Sequence, residues 1–216
     1  MNVRANCIPT RSFPKRQRDP NCRVCGRTDE SITHLLTSCV ALQHAEYLHR
    51  HNAVAKVIYS NALELLGFKM QEEYWTWTRP PSMTHGEKRV LWDQNIPTPR
   101  RVEHSRPDLL IRNGKRIVVC EIGVTSDSNV VQKEREKKLR YQPLLRELQQ
   151  LHPDCTIQLL VVVIGVTGAI TKQLVRGVRE AGLDCSIVSK MQRAAATHSA
   201  HLLLRILYSR KLLAVE

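Results

Sequence analysis

The sequence has no long apolar run. The longest, Leu159 to Val166, falls far short of the roughly 20 residues a bilayer-spanning helix needs, so no membrane segment is expected. No secretory leader is expected either, because Met1-Asn2-Val3-Arg4-Ala5-Asn6 is polar and basic. There is no internal repeat and no even set of cysteines. Of the 7 cysteines, three cluster with a histidine, whereas Cys7, Cys120, Cys155 and Cys185 are scattered. That pattern argues against a disulfide frame and for intracellular metal binding. Acidic residues are few: 20 Asp+Glu stand against 33 Lys+Arg, a formal net charge of +13. Such an excess implies a polyanionic partner, nucleic acid before an anionic membrane surface. With 216 residues, 42% of them hydrophobic, the chain can bury a core as one domain or as a small module plus a domain.

Residues 1–21 form a basic arm in which Arg4, Arg11, Lys15, Arg16 and Arg18 alternate with Pro9, Pro14 and Pro20. The arm is expected to be extended, either tracking a phosphate backbone or serving as a solvated linker. Residues 22–39 read Cys22-x2-Cys25-x8-His34-x4-Cys39, with Gly26 placed for a tight turn. Three thiolates and an imidazole would close a tetrahedral Zn²⁺ site with no open position, hence structural rather than catalytic. So short a loop would fold on its metal. From 40 to 66 the spacing of Leu42, Ala45, Leu48, Ala55, Ile58, Ala62 and Leu65 predicts one long helix stopped by Gly67. Its histidines, His44, His49 and His51, are expected on a solvated face. Tyr74, Trp75 and Trp77 could stack on bases or pack inside. His85 to Trp92 reads as a short helix, and Arg101 to His104 as a short strand.

Asp108 to Val124 carries the chemistry. Two β-branched-rich runs flank Asn113-Gly114, a strong hairpin signal. A two-residue turn there sets Asp108 opposite Val119. Glu121, two residues further on, then shares its face and becomes a diagonal neighbour about 7 Å away at the backbone. Glu121 also interrupts an apolar run, and a buried carboxylate needs a partner or a metal. Two hard oxygen donors so placed suit Mg²⁺. Ser126-Asp127-Ser128-Asn129 is a capping cluster before a helix from about Val130 to Leu151, which Pro143 should kink. This helix carries Lys133, Lys137, Lys138, Arg140 and Tyr141, and one lysine is expected to point back at the carboxylates. Thr156 to Val166 reads as a central strand, Gly168 to Ala181 as a helix, Leu183 to Val188 as another strand, and Met191 to Leu213 as a last helix.

Asp108 and Glu121, followed by a helix and a buried strand, resemble the PD-(D/E)xK restriction-endonuclease-like core. That core would be an α/β fold, a mixed sheet flanked by helices. Gly123 stands where its usual lysine would be, and some branches carry the lysine on the next helix. From Arg4 to about Leu148 the chain resembles the C-terminal region of site-specific non-LTR retrotransposon polyproteins. The match runs through Cys7-Ile8-Pro9-Thr10-Arg11, the CCHC knuckle, Arg50-His51-Asn52, Trp92-Asp93-Gln94-Asn95-Ile96-Pro97-Thr98, Arg106-Pro107-Asp108, Glu121 and Lys138-x2-Tyr141. The resemblance implies a basic arm (1–21), a zinc knuckle (22–39), a helical linker (40–84) and a restriction-like endonuclease domain (85–216). It implies Asp108, Glu121, Lys138 and Tyr141 as catalytic residues, with Mg²⁺ on Asp108 and Glu121. Zn²⁺ would sit on Cys22, Cys25, His34 and Cys39. Arg11, Lys15, Arg16, Arg18 and Arg106 would contact nucleic acid. The partners implied are target DNA, element RNA and an upstream reverse transcriptase of the same polyprotein, since polymerase motifs are absent here; the location implied is the nucleus. A non-catalytic nucleic-acid-binding module and a junction-resolving nuclease are the alternatives.

Overall fold

The computed structural model describes residues 8–12, 19–69, 76 and 80–208. Its centre is a five-stranded mixed sheet in the order β1-β2-β3-β4-β5. The strands are β1 (Met83–His85), β2 (Lys88–Trp92), β3 (Leu109–Asn113), β4 (Arg116–Thr125) and β5 (Thr156–Gly165). The first four are antiparallel neighbours, and β5 runs parallel to β4. The parallel pair is joined by helix α2 (Val130–Leu151), as a parallel connection requires. Tyr141, Leu144 and Leu148 of α2 pack on Leu110, Ile117 and Val119. The opposite face is covered by α1 (Leu48–Leu66), α3 (Lys172–Glu180) and α4 (Ile187–Tyr208), which bury Val118, Cys120, Ile122, Leu160, Val162 and Ile164. Alternate residues of β4 therefore serve opposite layers, as strand geometry demands.

Several expectations are corrected. The hairpin turn is Gly114-Lys115, with Asn113 paired to Arg116, so the register is two residues from the expected one. Gly114, at φ 56°, takes the first central position, where this kind of turn needs a positive φ. A two-residue shift leaves every side chain on its expected face. His85 to Trp92 is no helix. Gly86 (φ 59°) turns the chain between β1 and β2, where Val90 and Trp92 are buried and Arg89 is exposed. Arg101 to His104 forms no strand. Leu183 to Val188 does not pair as a strand: the chain turns there, with Asp184 accepting from Ser186 N–H at 2.8 Å, and α4 begins at Ile187. Without that strand β5 is an edge strand, not a central one, although both of its faces are buried from Leu160 onward. The cluster before α2 is a short 3-10 turn in which Asp127 turns to Thr167 N–H at 3.1 Å rather than capping the helix.

The segment expected as one helix is broken into a 3-10 turn (Val40–Leu42) and a π-turn (Gln43–Tyr47) before α1 begins. Its predicted stop holds: Gly67 sits at φ 75°, with its N–H donating to Glu64 O and Phe68 N–H to Leu63 O. α1 is a layer of the core, not a spacer. Residues 22–39 also pack into the body, with Leu35 and Leu36 sharing a core with Leu202, Leu203 and Ile206 of α4. Arg50, 2% exposed, ties these parts together by donating to Leu36 O at 2.6 Å and Ser199 Oγ at 3.2 Å. Among the described residues no helix is long and apolar enough to cross a membrane.

Candidate active site and metal cluster

β3 stops one residue short of Asp108. Continuing the observed register places Asp108 across from Glu121 and Pro107 across from Ile122. Proline has no N–H to give, so the ladder ends there. The Ile122 N–H donates instead to Asp108 Oδ2 at 2.7 Å. The Asp108 carboxylate thus lies in the gap where β3 leaves β4, between the two helical layers. One layer sends a basic group to Asp108 and the other sends one to Glu121 across from it.

From α1, His51 Nε2 lies 3.2 Å from Asp108 Oδ2, and its Nδ1 lies 3.1 Å from Asn52 Oδ1. From α2, Lys137 Nζ donates to Glu121 Oε1 at 2.5 Å. Burial pushes the Asp108 carboxyl up, but His51, the Ile122 N–H and Lys137 outweigh it and hold the group below its ordinary range. Burial likewise works against the His51 imidazolium, and the Asp108 partner overcomes it, raising His51. Glu121 goes the other way. Burial first, then the neighbouring Asp108 charge, raises it despite Lys137 and Tyr141. Tyr141 is raised by its own burial and by Glu121, and its hydroxyl reaches Arg106 O at 3.3 Å. Two neighbouring carboxylates with opposed shifts make this spot a candidate functional site. A cavity of about 290 Å³, lined by His51, Asn52, Trp92, Asp93 and Asp108 among others, opens onto it.

Asp108, Glu121 and Tyr141 are brought together as the sequence implied; Lys138 is not. Its Nζ turns to Glu134 Oε1 at 2.6 Å and Gln173 Oε1 at 2.8 Å, and Lys137 takes the place expected of it. The reason is helical phase. Tyr141, Leu144 and Leu148 set the buried stripe of α2, and Lys137 lies four residues before Tyr141 on that stripe. Gly123 completes the picture, since a Cβ there would come within 2.8 Å of Lys137 Cε. The absence of a side chain at Gly123 leaves that space to the Lys137 side chain.

His51 was expected on a solvated face and instead meets Asp108; its place in Arg50-His51-Asn52 was the signal available. Arg106 is held by Asp93 in a two-point pair, at 2.7 and 2.6 Å, and shapes the loop rather than standing free. Arg11 pairs with Asp19 at 3.5 Å and donates to Asn21 O at 3.2 Å, which folds residues 8–12 back onto the knuckle. Lys15, Arg16, Arg18, Tyr74, Trp75 and Trp77 lie outside the described residues.

The second cluster is Cys22, Cys25, His34 and Cys39, whose donor atoms all lie within 4.8 Å of one another. Cys22 Sγ is 4.0 Å from Cys39 Sγ, and Cys25 Sγ is 3.3 Å from His34 Nε2. A tetrahedral zinc would set sulfurs about 3.8 Å apart and sulfur to nitrogen about 3.5 Å apart. The four residues therefore fit a zinc-like ion. Thr28 Oγ1, 3.1 Å from His34 Nδ1, can accept a hydrogen bond from Nδ1–H, the tautomer that leaves Nε2 free to ligate. Burial pushes the Cys39 thiol up to about 12, and Cys22 and Cys25 add to that. A central divalent cation would reverse this crowding of negative sulfur.

These features define a mixed α/β protein with a clustered acid-base site and a Cys/His cluster able to hold a metal. No protein-family model matches the chain, and no curated protein matches it.

Proposed function

We propose that this chain is a metal-dependent DNA endonuclease built on a restriction-like core with a CCHC zinc knuckle, equivalent to the C-terminal region of a site-specific non-LTR retrotransposon polyprotein. The observation that carries the reading is that Asp108, at the strand end beside the cavity, lies across from Glu121, which takes Lys137 from the helix. Asp108, Glu121 and the Ile122 carbonyl, which faces Pro107, would hold Mg²⁺ through hard oxygens. When bound, that ion lowers the pKa of a coordinated water and offsets charge on the phosphate. Lys137 keeps its ammonium on Glu121, placed to orient the attacking water or to stabilise charge growing on the phosphate oxygens. His51 fixes the Asp108 carboxylate from the opposite layer. Tyr141 hydrogen-bonds rather than attacks, because its hydroxyl is strongly raised.

By the same reading, the nick would prime reverse transcription by an upstream polymerase in the nucleus. Target DNA and element RNA would be the partners, and the arm and knuckle would contact them. Gly123, standing where the resemblance would put a lysine, leaves room for Lys137, which supports the nuclease reading over the binding module. The test is nicking of supercoiled DNA with and without Mg²⁺. Asp108→Ala and Glu121→Ala should abolish it. Lys137→Ala should cost about 10²–10³-fold and Lys138→Ala little. Cleavage surviving the two acid substitutions would overturn the site, and binding without any cleavage would leave only the binding module.

A further inference from the structure

The side of α1 turned away from His51 forms a cleft with α4 of about 430 Å³. His49 and His51 are two residues apart, about 200° around the helix, so one helix serves two separate surfaces. Along α1 the cleft takes His49 and Lys56, seven residues apart. Along α4 it takes Lys190, Arg193, Thr197 and His198, all within one helical stripe. None of the lining residues is acidic, and Ala53, Val57 and Ala194 supply apolar walls. The His49 and His198 rings meet edge to face with centroids 4.8 Å apart, and His201 stands 6.4 Å beyond His198. The acid that reaches Lys190 electrostatically, Asp184, is occupied by the Ser186 N–H and hydroxyl, each at 2.8 Å.

Cations gathered in a concavity repel one another, and an anion relieves that repulsion. Burial lowers both Lys56 and His198, and in His198 the neighbouring His49, His201, Arg50 and Lys56 add to the effect. The rim pair Lys190 and Arg193 is exposed and free to follow a bulky ligand, while Lys56 and the rings lie deeper. Lys190 and Arg193 could meet a phosphate at the rim, and the apolar walls leave room for a sugar. In a chain of net charge +13, the anion such a cleft fits is a phosphodiester.

We infer that the α1–α4 cleft is a second nucleic-acid contact, gripping a sugar-phosphate backbone at a point separate from the Asp108 cavity. This rests on the reading that the chain meets nucleic acid, but not on its cutting it.

The experiment uses the zinc-loaded full chain on an Asp108→Ala background and reads binding by fluorescence anisotropy across a salt series. The probes are a labelled DNA duplex and a labelled single-stranded RNA. Lys190→Ala/Arg193→Ala is compared with Lys172→Ala/Arg176→Ala, which removes the same charge from exposed positions on α3. The cleft pair should weaken binding to every sequence and lower the salt slope on duplex by about 2, whereas the α3 pair should change the slope little. A slope lost on one probe alone identifies that nucleic acid as the ligand. Equal losses from both pairs, or none from the cleft pair, would overturn the inference. So would competition by inorganic pyrophosphate with no slope change on either probe, which would make the cleft a small-anion site. Because binding is read without cleavage, failure of the nuclease reading leaves the result intact.

Discussion

At the scale of single residues, the site is a balance between two acids and the bases that face them. Asp108 is held low and His51 high by the same 3.2 Å contact. The sign of the pH dependence follows. A raised histidine contributes its full stability below its unfolded value of about 6.5 and loses it as pH climbs through the raised folded value. A depressed Asp contributes above its unfolded value of about 3.9 and loses it as pH falls through the folded one. The pair is therefore at full strength between roughly pH 4 and 6.5 and fades on the alkaline side. In magnesium-free buffer, His51→Ala should cost on the order of 1 kcal/mol by urea unfolding at pH 6, and nearly nothing once pH exceeds the folded His51 value. A penalty that stays constant from pH 6 to about pH 9 would contradict the pairing. Glu121 was legible in the sequence because a carboxylate inside an apolar strand advertises itself, and Asp108 because the hairpin sets it beside that strand. His51 was not, since a histidine on an amphipathic helix shows its partner only after the helix has docked.

At the scale of elements, the sequence spoke clearly where a pattern repeats and poorly where one residue breaks it. The buried stripe of α2 was readable, and counted back from Tyr141 it reaches Lys137. Following the K-x2-Y spacing of the resemblance led to Lys138, which faces Glu134 instead. The β1–β2 hairpin was missed because Gly86 was passed over as a turn residue. The strand expected at Leu183 to Val188 was lost to a local turn, in which Ser186 N–H donates to Asp184, that propensity does not record. The exchange between strand and helix as supplier of the amine can be tested directly. Gly123→Lys alone should collide with Lys137, given a Cβ approach of 2.8 Å. With Lys137→Ala added, the space opens and the amine returns from the strand, on the face of Glu121. The double variant should recover about tenfold of the nicking lost in Lys137→Ala, against a full loss of about 10²–10³-fold. If it is no better than Lys137→Ala at equal folded fraction, the two positions do not serve one site.

At the scale of the whole molecule, the boundaries drawn from sequence divide what the structure joins. The stretch read as a linker contains α1, whose Val54, Ile58, Tyr59 and Leu63 are part of the main core. A helix that both covers the sheet and delivers His51 cannot be a tether. The Cys/His segment, residues 22–39, is bound in as firmly. Leu35 and Leu36, both 0% exposed, come from the turn between His34 and Cys39 of the cluster and bury against α4. At about 1.5–3 kcal/mol for each buried leucine, that contact is worth several kcal/mol and depends on the ligands holding the turn in shape. Arg50 adds its bonds to Leu36 O and Ser199, and Glu46 pairs with Arg205. Removal of the metal should therefore be felt well beyond residues 22–39. A strong zinc chelator, or Cys25→Ser, should lower the unfolding temperature of the protein as a whole and speed amide exchange along α4 near residues 199–206. An independent knuckle would lose only its own protection. Unchanged exchange in α4 after verified metal release would show that the knuckle is an attachment to the fold, and that the α1–α4 surface is set without it.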